Sequence, residues 1–139
     1  MVMTMGIKQQ TFTLKTGKSA LYEYDEANDL LEIIFQPGEA TCAVELTDNM
    51  VLRFDWATNT PLSLSIISFS HLLKPAPYGE MHLELLSDEW PEEAQDKLWI
   101  MLRTPPLSEF LTLSSYTPAH ENYIVPITSI KQSPLALAV

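Results

Sequence analysis

Four carboxylates, Asp25, Glu26, Asp29 and Glu32, crowd into LYEYDEANDLLEIIF (residues 21–35), among aromatic and branched apolar residues. Such a cluster can hold a hard cation through several oxygens, or split acid and base roles between two carboxyl groups facing each other across a cleft. The spacing suits neither. An EF-hand loop needs oxygen ligands at alternating positions and a glycine at its sharp turn. Here Ala27 occupies a ligand position and no glycine is present. Asp25 and Glu26 are neighbours and would point to opposite faces of a strand. What remains is local: an aspartate at a strand end accepts N–H bonds from the residues after it and fixes a turn.

The stretch has an echo that favours the local reading. YDEAND (residues 24–29) is matched by FDWATN (residues 54–59): aromatic, Asp, any residue, Ala, then two polar residues, with an apolar run following each. Asn and Asp tolerate the left-handed conformation that tight turns demand. Asp25, Asp29, Asp55 and Asn59 are therefore expected to be structural turn residues. Loose calcium binding by Asp25 and Asp29 at a loop tip is the incidental alternative.

Other chemistry finds little footing. His71, His82 and His120 are scattered and lack the spacing of a metal motif. Ser70 and His71 are adjacent, so their side chains diverge rather than form a nucleophile–base pair. Four glycines and no glycine-rich loop leave no phosphate cradle. Cys42 is the only cysteine, which excludes an intramolecular disulfide and a thiolate metal cluster. The sequence thus nominates no catalytic residue, no cofactor-binding residue and no metal ligand.

The elements that position these residues are legible in the apolar pattern. Short runs rich in Tyr, Phe, Ile, Val and Leu alternate with polar positions from Thr11 to Phe69, predicting strands near 11–15, 20–25, 30–36, 41–46, 50–55 and 62–68. Their short connections suit an antiparallel meander. One face carries Leu31, Ile33 and Phe35, with Met50, Leu52, Phe54 and Trp56, and must be covered. SFSHLLKP predicts a helical turn, residues 74–80 a linker, and HLELL a further strand. SDEWPEEAQDKLWIMLRTPP predicts the main helix, with Ser87 or Asp88 as cap, Pro91 in the first turn and acids at its N-terminal end. Ala94, Leu98, Met101 and Leu102 form its core-facing stripe. EFLTLSSY and YIVPITSI predict two more strands, the second placed at a sheet edge or bulge by Pro126. The expected fold is α+β: a β-rich antiparallel meander sheet (11–73) packed by one main helix, with additional C-terminal strands (80–131), in a single domain spanning 1–139.

Composition bounds the function. The chain has 139 residues, 46% hydrophobic and 19% charged, enough apolar surface for a folded domain. Its net charge of −10 argues against nucleic acid and anionic membrane as partners, since both require a basic face. No run approaches the roughly 20 apolar residues of a membrane helix, and no signal-peptide pattern opens the sequence. A cytoplasmic protein is expected. Trp99, on the margin of the helical stripe, either completes the core or anchors a partner beside the acids Glu92 and Glu93. The ending SPLALAV is similar to the apolar tails that bacterial proteases read.

Tyr24-Asp25, Asp29-Leu30, LEIIF, CAVELTDNMVLRFD and the strand closing in SFSHLL resemble the DUF2283 family of small bacterial proteins over residues 20–73. That family has similar aspartate turns, but often Gly in the second turn and Gly-Ile-Glu in the last strand. Here stand Thr58-Asn59-Thr60-Pro61 and Leu64-Ser65-Ile66. The resemblance implies no activity. Together these features point to a non-enzymatic, acidic interaction module. It is expected to be homodimeric through a sheet edge or the helix face, and to hold a small basic partner in the manner of an antitoxin. The alternative is a small-molecule or cation-binding domain with a pocket between sheet and helix.

Overall fold

A computed structural model describes residues 7–73 and 82–131. The expected linker at 74–80 and the terminal tail lie outside them. Six strands arise from the alternating segments: β1 (Ile7–Thr13), β2 (Ser19–Asp25), β3 (Leu30–Ile34), β4 (Cys42–Thr47), β5 (Met50–Asp55) and β6 (Thr60–Ile67). They form one antiparallel sheet in the order β1-β2-β3-β6-β5-β4. Two three-stranded meanders, β1-β2-β3 and β4-β5-β6, are thus joined along a β3–β6 seam. The seam pairs Leu31 with Ile66 and Ile33 with Leu64. An approximate two-fold axis between the Ile33–Leu64 and Ile34–Ser63 pairs relates the halves, which explains the echo: YDEAND and FDWATN turn the second hairpin of each meander.

Alternation fixes which face is buried. Tyr22, Leu31, Ile33, Leu52, Phe54, Leu64 and Ile66 point inward and are essentially inaccessible. Over this face lie a short helix, α1 (Phe69–Leu73), and the main helix, α2 (Gln95–Leu102). A second, three-stranded sheet follows, built from β7 (Leu83–Glu84), β8 (Leu111–Tyr116) and β9 (Val125–Ile130) in the order β7-β9-β8. One hydrophobic cluster joins the inner face of the large sheet to Ala94, Leu98, Met101 and Leu102 around α2 and to Leu111 and Ile130.

Two sequence expectations are corrected. The main helix starts at Gln95, not near Ser87; short 3-10 turns at Ser87–Glu89 and Glu92–Ala94 precede it, and no side chain caps it. Pro91 is the cause. Its ring drives the preceding residue out of the helical region, and Trp90 is extended (φ −72°, ψ 142°). Trp90 is then buried with its indole N–H donated to the Glu45 carbonyl at 2.9 Å. Pro126, expected at a sheet edge or bulge, sits in β9, the central strand of its sheet, which pairs with β8 without a register shift. The Leu85 N–H donates to the Pro126 carbonyl at 3.0 Å, so the backbone of Pro126 faces β7 rather than β8. Of the two bonds that opposed Leu85 and Pro126 would exchange, only the one donated by Leu85 can form, and the β7 ladder ends at Glu84.

Candidate functional site

The two aspartate turns are closed on themselves. The Asp25 carboxylate accepts from the backbone N–H groups of Ala27 (3.0 Å) and Asn28 (3.3 Å) and from the Asn28 amide (2.7 Å). Asp55 accepts from the Thr58 hydroxyl (2.7 Å), the Thr58 N–H (3.2 Å) and the Thr41 hydroxyl (3.2 Å). The Asn28 amide holds the Asp25 carboxyl below its ordinary range, helped by the turn N–H groups. The Thr58 hydroxyl does the same for Asp55, joined by Thr41 and the Thr58 N–H. Each turn ends in a left-handed residue, Asp29 at φ 50° and Asn59 at φ 54°.

Those left-handed residues tie the turns to the helical layer. Asp29 Oδ1 accepts from the Tyr24 hydroxyl (2.7 Å) and the Ser70 N–H (2.8 Å), and Oδ2 from the Ser70 hydroxyl (2.8 Å). Its backbone carbonyl accepts from the Phe69 N–H at 3.0 Å. Desolvation pushes the Asp29 carboxyl up, but the bonds from Tyr24, Ser70 and the His71 N–H outweigh it and the group lies below its ordinary value. On the other side Lys97 Nζ of α2 donates to Asn59 Oδ1 (2.7 Å) and the Trp56 carbonyl (3.1 Å), and sits 4.6 Å from the centre of the Trp56 ring.

The expected partner residues occupy the opposite flank of α2. Glu92 and Glu93 are exposed in the turn before it. Trp99 is half-buried, its ring 5.2 Å from that of Trp90. It also lines a groove of about 570 Å³ between α2 and the second sheet, with Asp96, Ile100, Arg103, Leu113, Ser115 and Pro126 among its walls. The carboxylate at this groove is Asp96; the turn aspartates Asp25 and Asp55 do not line it. Among the described residues no group of three or more His, Cys, Asp or Glu side chains is placed to hold a metal ion.

A second chemically distinctive surface is the open face of the six-stranded sheet, turned away from α2. Register places Glu23 directly across from Glu32, and Glu32 across from Ser65. Val51 follows beside Ser65, then Glu45 beside Val51. Like charges directly opposite on a sheet repel. The Glu32 carboxylate accepts from the Ser65 hydroxyl at 3.0 Å, and Arg53 Nη1 donates to that hydroxyl at 2.8 Å while lying 3.8 Å from Glu32. Glu23 accepts from the Gln9 amide at 3.0 Å. Among the described residues of this face, Arg53 is the cation beside Glu32, while Lys8 pairs with Glu26 at the first turn. Between the acids stand half-buried Leu21, Leu30, Ile34 and Val51 and the exposed Ile67. Sequence reasoning singled out Glu32 but not Glu23, Leu21 or Ile34 as its neighbours, because their alignment depends on strand order.

No family model, curated protein or solved structure matches this chain. No helix among the described residues is long and apolar enough to cross a membrane.

Proposed function

We propose that the protein is a non-enzymatic, cytoplasmic interaction module that binds a basic protein partner on the open face of its six-stranded sheet. The observation that carries this reading is the Glu23–Glu32 cross-strand pair, set among apolar side chains with Arg53 as the cation beside Glu32. A solvent face that serves only solubility intersperses charges of both signs. Here a repulsive pair is combined with an apolar background, so the free protein carries a cost that an incoming Lys or Arg would relieve, while the apolar residues supply contact area. The net charge of −10 adds long-range attraction for a basic partner. Holding a small basic toxin or enzyme inactive fits this chemistry.

The test is to purify the tagged protein from its host at low salt and weigh what accompanies it by native mass spectrometry. A stoichiometric basic companion, released by salt and lost in Glu23→Gln/Glu32→Gln, is the expected result. A companion retained by the double variant, or no companion at all, would refute binding through this face.

A further inference from the structure

A different surface carries a second, independent inference. The two sheets have four edge strands, and they are not treated alike. The β4 edge is covered: Leu86 N–H donates to the Leu46 carbonyl at 2.9 Å, and the Trp90 indole to the Glu45 carbonyl. β1 carries Lys8, in an ion pair with Glu26 at 2.6 Å, and charge of this kind blunts an edge. β7 is only two residues long. β8 has none of these protections. Its sequence LTLSSY contains no charge and no proline, and it pairs with β9 without a register shift from Leu111 to Tyr116.

Register shows which of its backbone groups are free. Lys131 N–H donates to the Phe110 carbonyl at 2.8 Å, so that pair is hydrogen-bonded across the ladder. By alternation Thr112, Ser114 and Tyr116 also bond toward β9, and Leu111, Leu113 and Ser115 aim their N–H and C=O groups outward. Among the described residues no strand pairs with that edge.

The charge around the edge decides the occupant. The chain as a whole repels its copies, yet the groove beside β8 holds one acid, Asp96, and one base, Arg103. They lie two turns apart on α2 and its C-terminal cap. This groove does not select a basic partner; it is self-complementary. A two-fold axis beside Leu113 reverses one copy against the other. Such an arrangement would offer Asp96 of each copy to Arg103 of its mate, and Ile100, 57% accessible, is exposed on the same helix.

We propose that β8 pairs antiparallel with β8 of a second copy across a two-fold axis near Leu113, making one continuous sheet from the two small ones. Leu111 and Ser115 then exchange backbone bonds with each other's counterparts, and Leu113 with its own. This dimer uses neither Glu23 nor Glu32, so its success or failure is separate from that of the proposed partner face.

Sedimentation equilibrium of the full chain tests it. The expected mass is twice 15.7 kDa, at protein concentrations up to about 100 µM. Ser115→Pro removes an outward N–H that the β9 ladder does not use, so it blocks the new pairing while sparing the fold. It is expected to sediment as a monomer with an unchanged circular dichroism spectrum. Arg103→Asp weakens the dimer roughly tenfold, and Asp96→Arg added to it restores it, because the swapped pair is again complementary. A wild-type monomer at about 100 µM, a Ser115→Pro variant that stays dimeric, or a charge swap without rescue would overturn the proposal.

Discussion

Asp29 offers the sharpest test of how the first hairpin is tied to α1. Its carboxylate accepts three bonds, from the Tyr24 hydroxyl, the Ser70 N–H and the Ser70 hydroxyl, while its backbone sits at φ 50°. Asn at this position tolerates the same backbone and keeps the shape; Asp29→Asn removes the charge and turns one acceptor oxygen into a donor toward the Ser70 hydroxyl. A charge-assisted bond is worth roughly twice a neutral one. Discounted for partial exposure, the loss over three bonds comes to about 1–2 kcal/mol. Asp29→Gly removes the acceptors but is at ease with positive φ, and should cost about 2–3 kcal/mol. Asp29→Ala adds about 1 kcal/mol of left-handed strain to that. Thermal melts should therefore rank the variants Asn, Gly, Ala in increasing damage, with about 4 °C for each kcal/mol.

The pH dependence gives a second axis. The folded carboxyl lies below its ordinary value, so it contributes stability above that value and loses it as pH falls through the folded one. The gap between wild type and Asp29→Asn should be full at neutral pH and close as pH drops below the ordinary 3.8. A gap that persists under acid, or an Ala variant no worse than Gly, would refute the reasoning.

Two further outcomes follow from the same geometry. Lys97→Met should lower stability by about 1 kcal/mol, through loss of the bond to Asn59 and the contact with the Trp56 ring, and should change tryptophan emission. Glu23→Gln should raise the stability of the free protein by about 0.5 kcal/mol at low salt, by removing a like-charge pair, with the gain shrinking as salt rises in urea titrations.

Much of the large sheet was legible because burial follows a period of two: Leu31, Ile33 and Phe35 could only share a face. The turn residues were legible for a chemical reason, since Asp and Asn at a strand end carry their own acceptors. β1 was placed late, at 11–15, because IKQQ is polar and becomes a strand only by lying beside β2. The helix was drawn too long because its acids and stripe are real helix signals, while Pro91 acts on the backbone of Trp90. Pro126 misled for a related reason: its missing donor matters only on the side where a neighbour continues, and β7 stops short. The Glu23–Glu32 pair was hidden because a strand's partner is not written in its own residues.

The pseudo-symmetric seam between β3 and β6 resembles a subunit interface housed within one chain. Residues 35–41 tether the halves, so the second meander meets the first at an effective concentration that a short linker sets near the millimolar range. Two separate three-stranded units would have to find each other in dilute solution, each with an exposed edge while it searched. Here that encounter is intramolecular, and β3 and β6, the strands whose edges would be most hazardous alone, lie at the centre of the sheet.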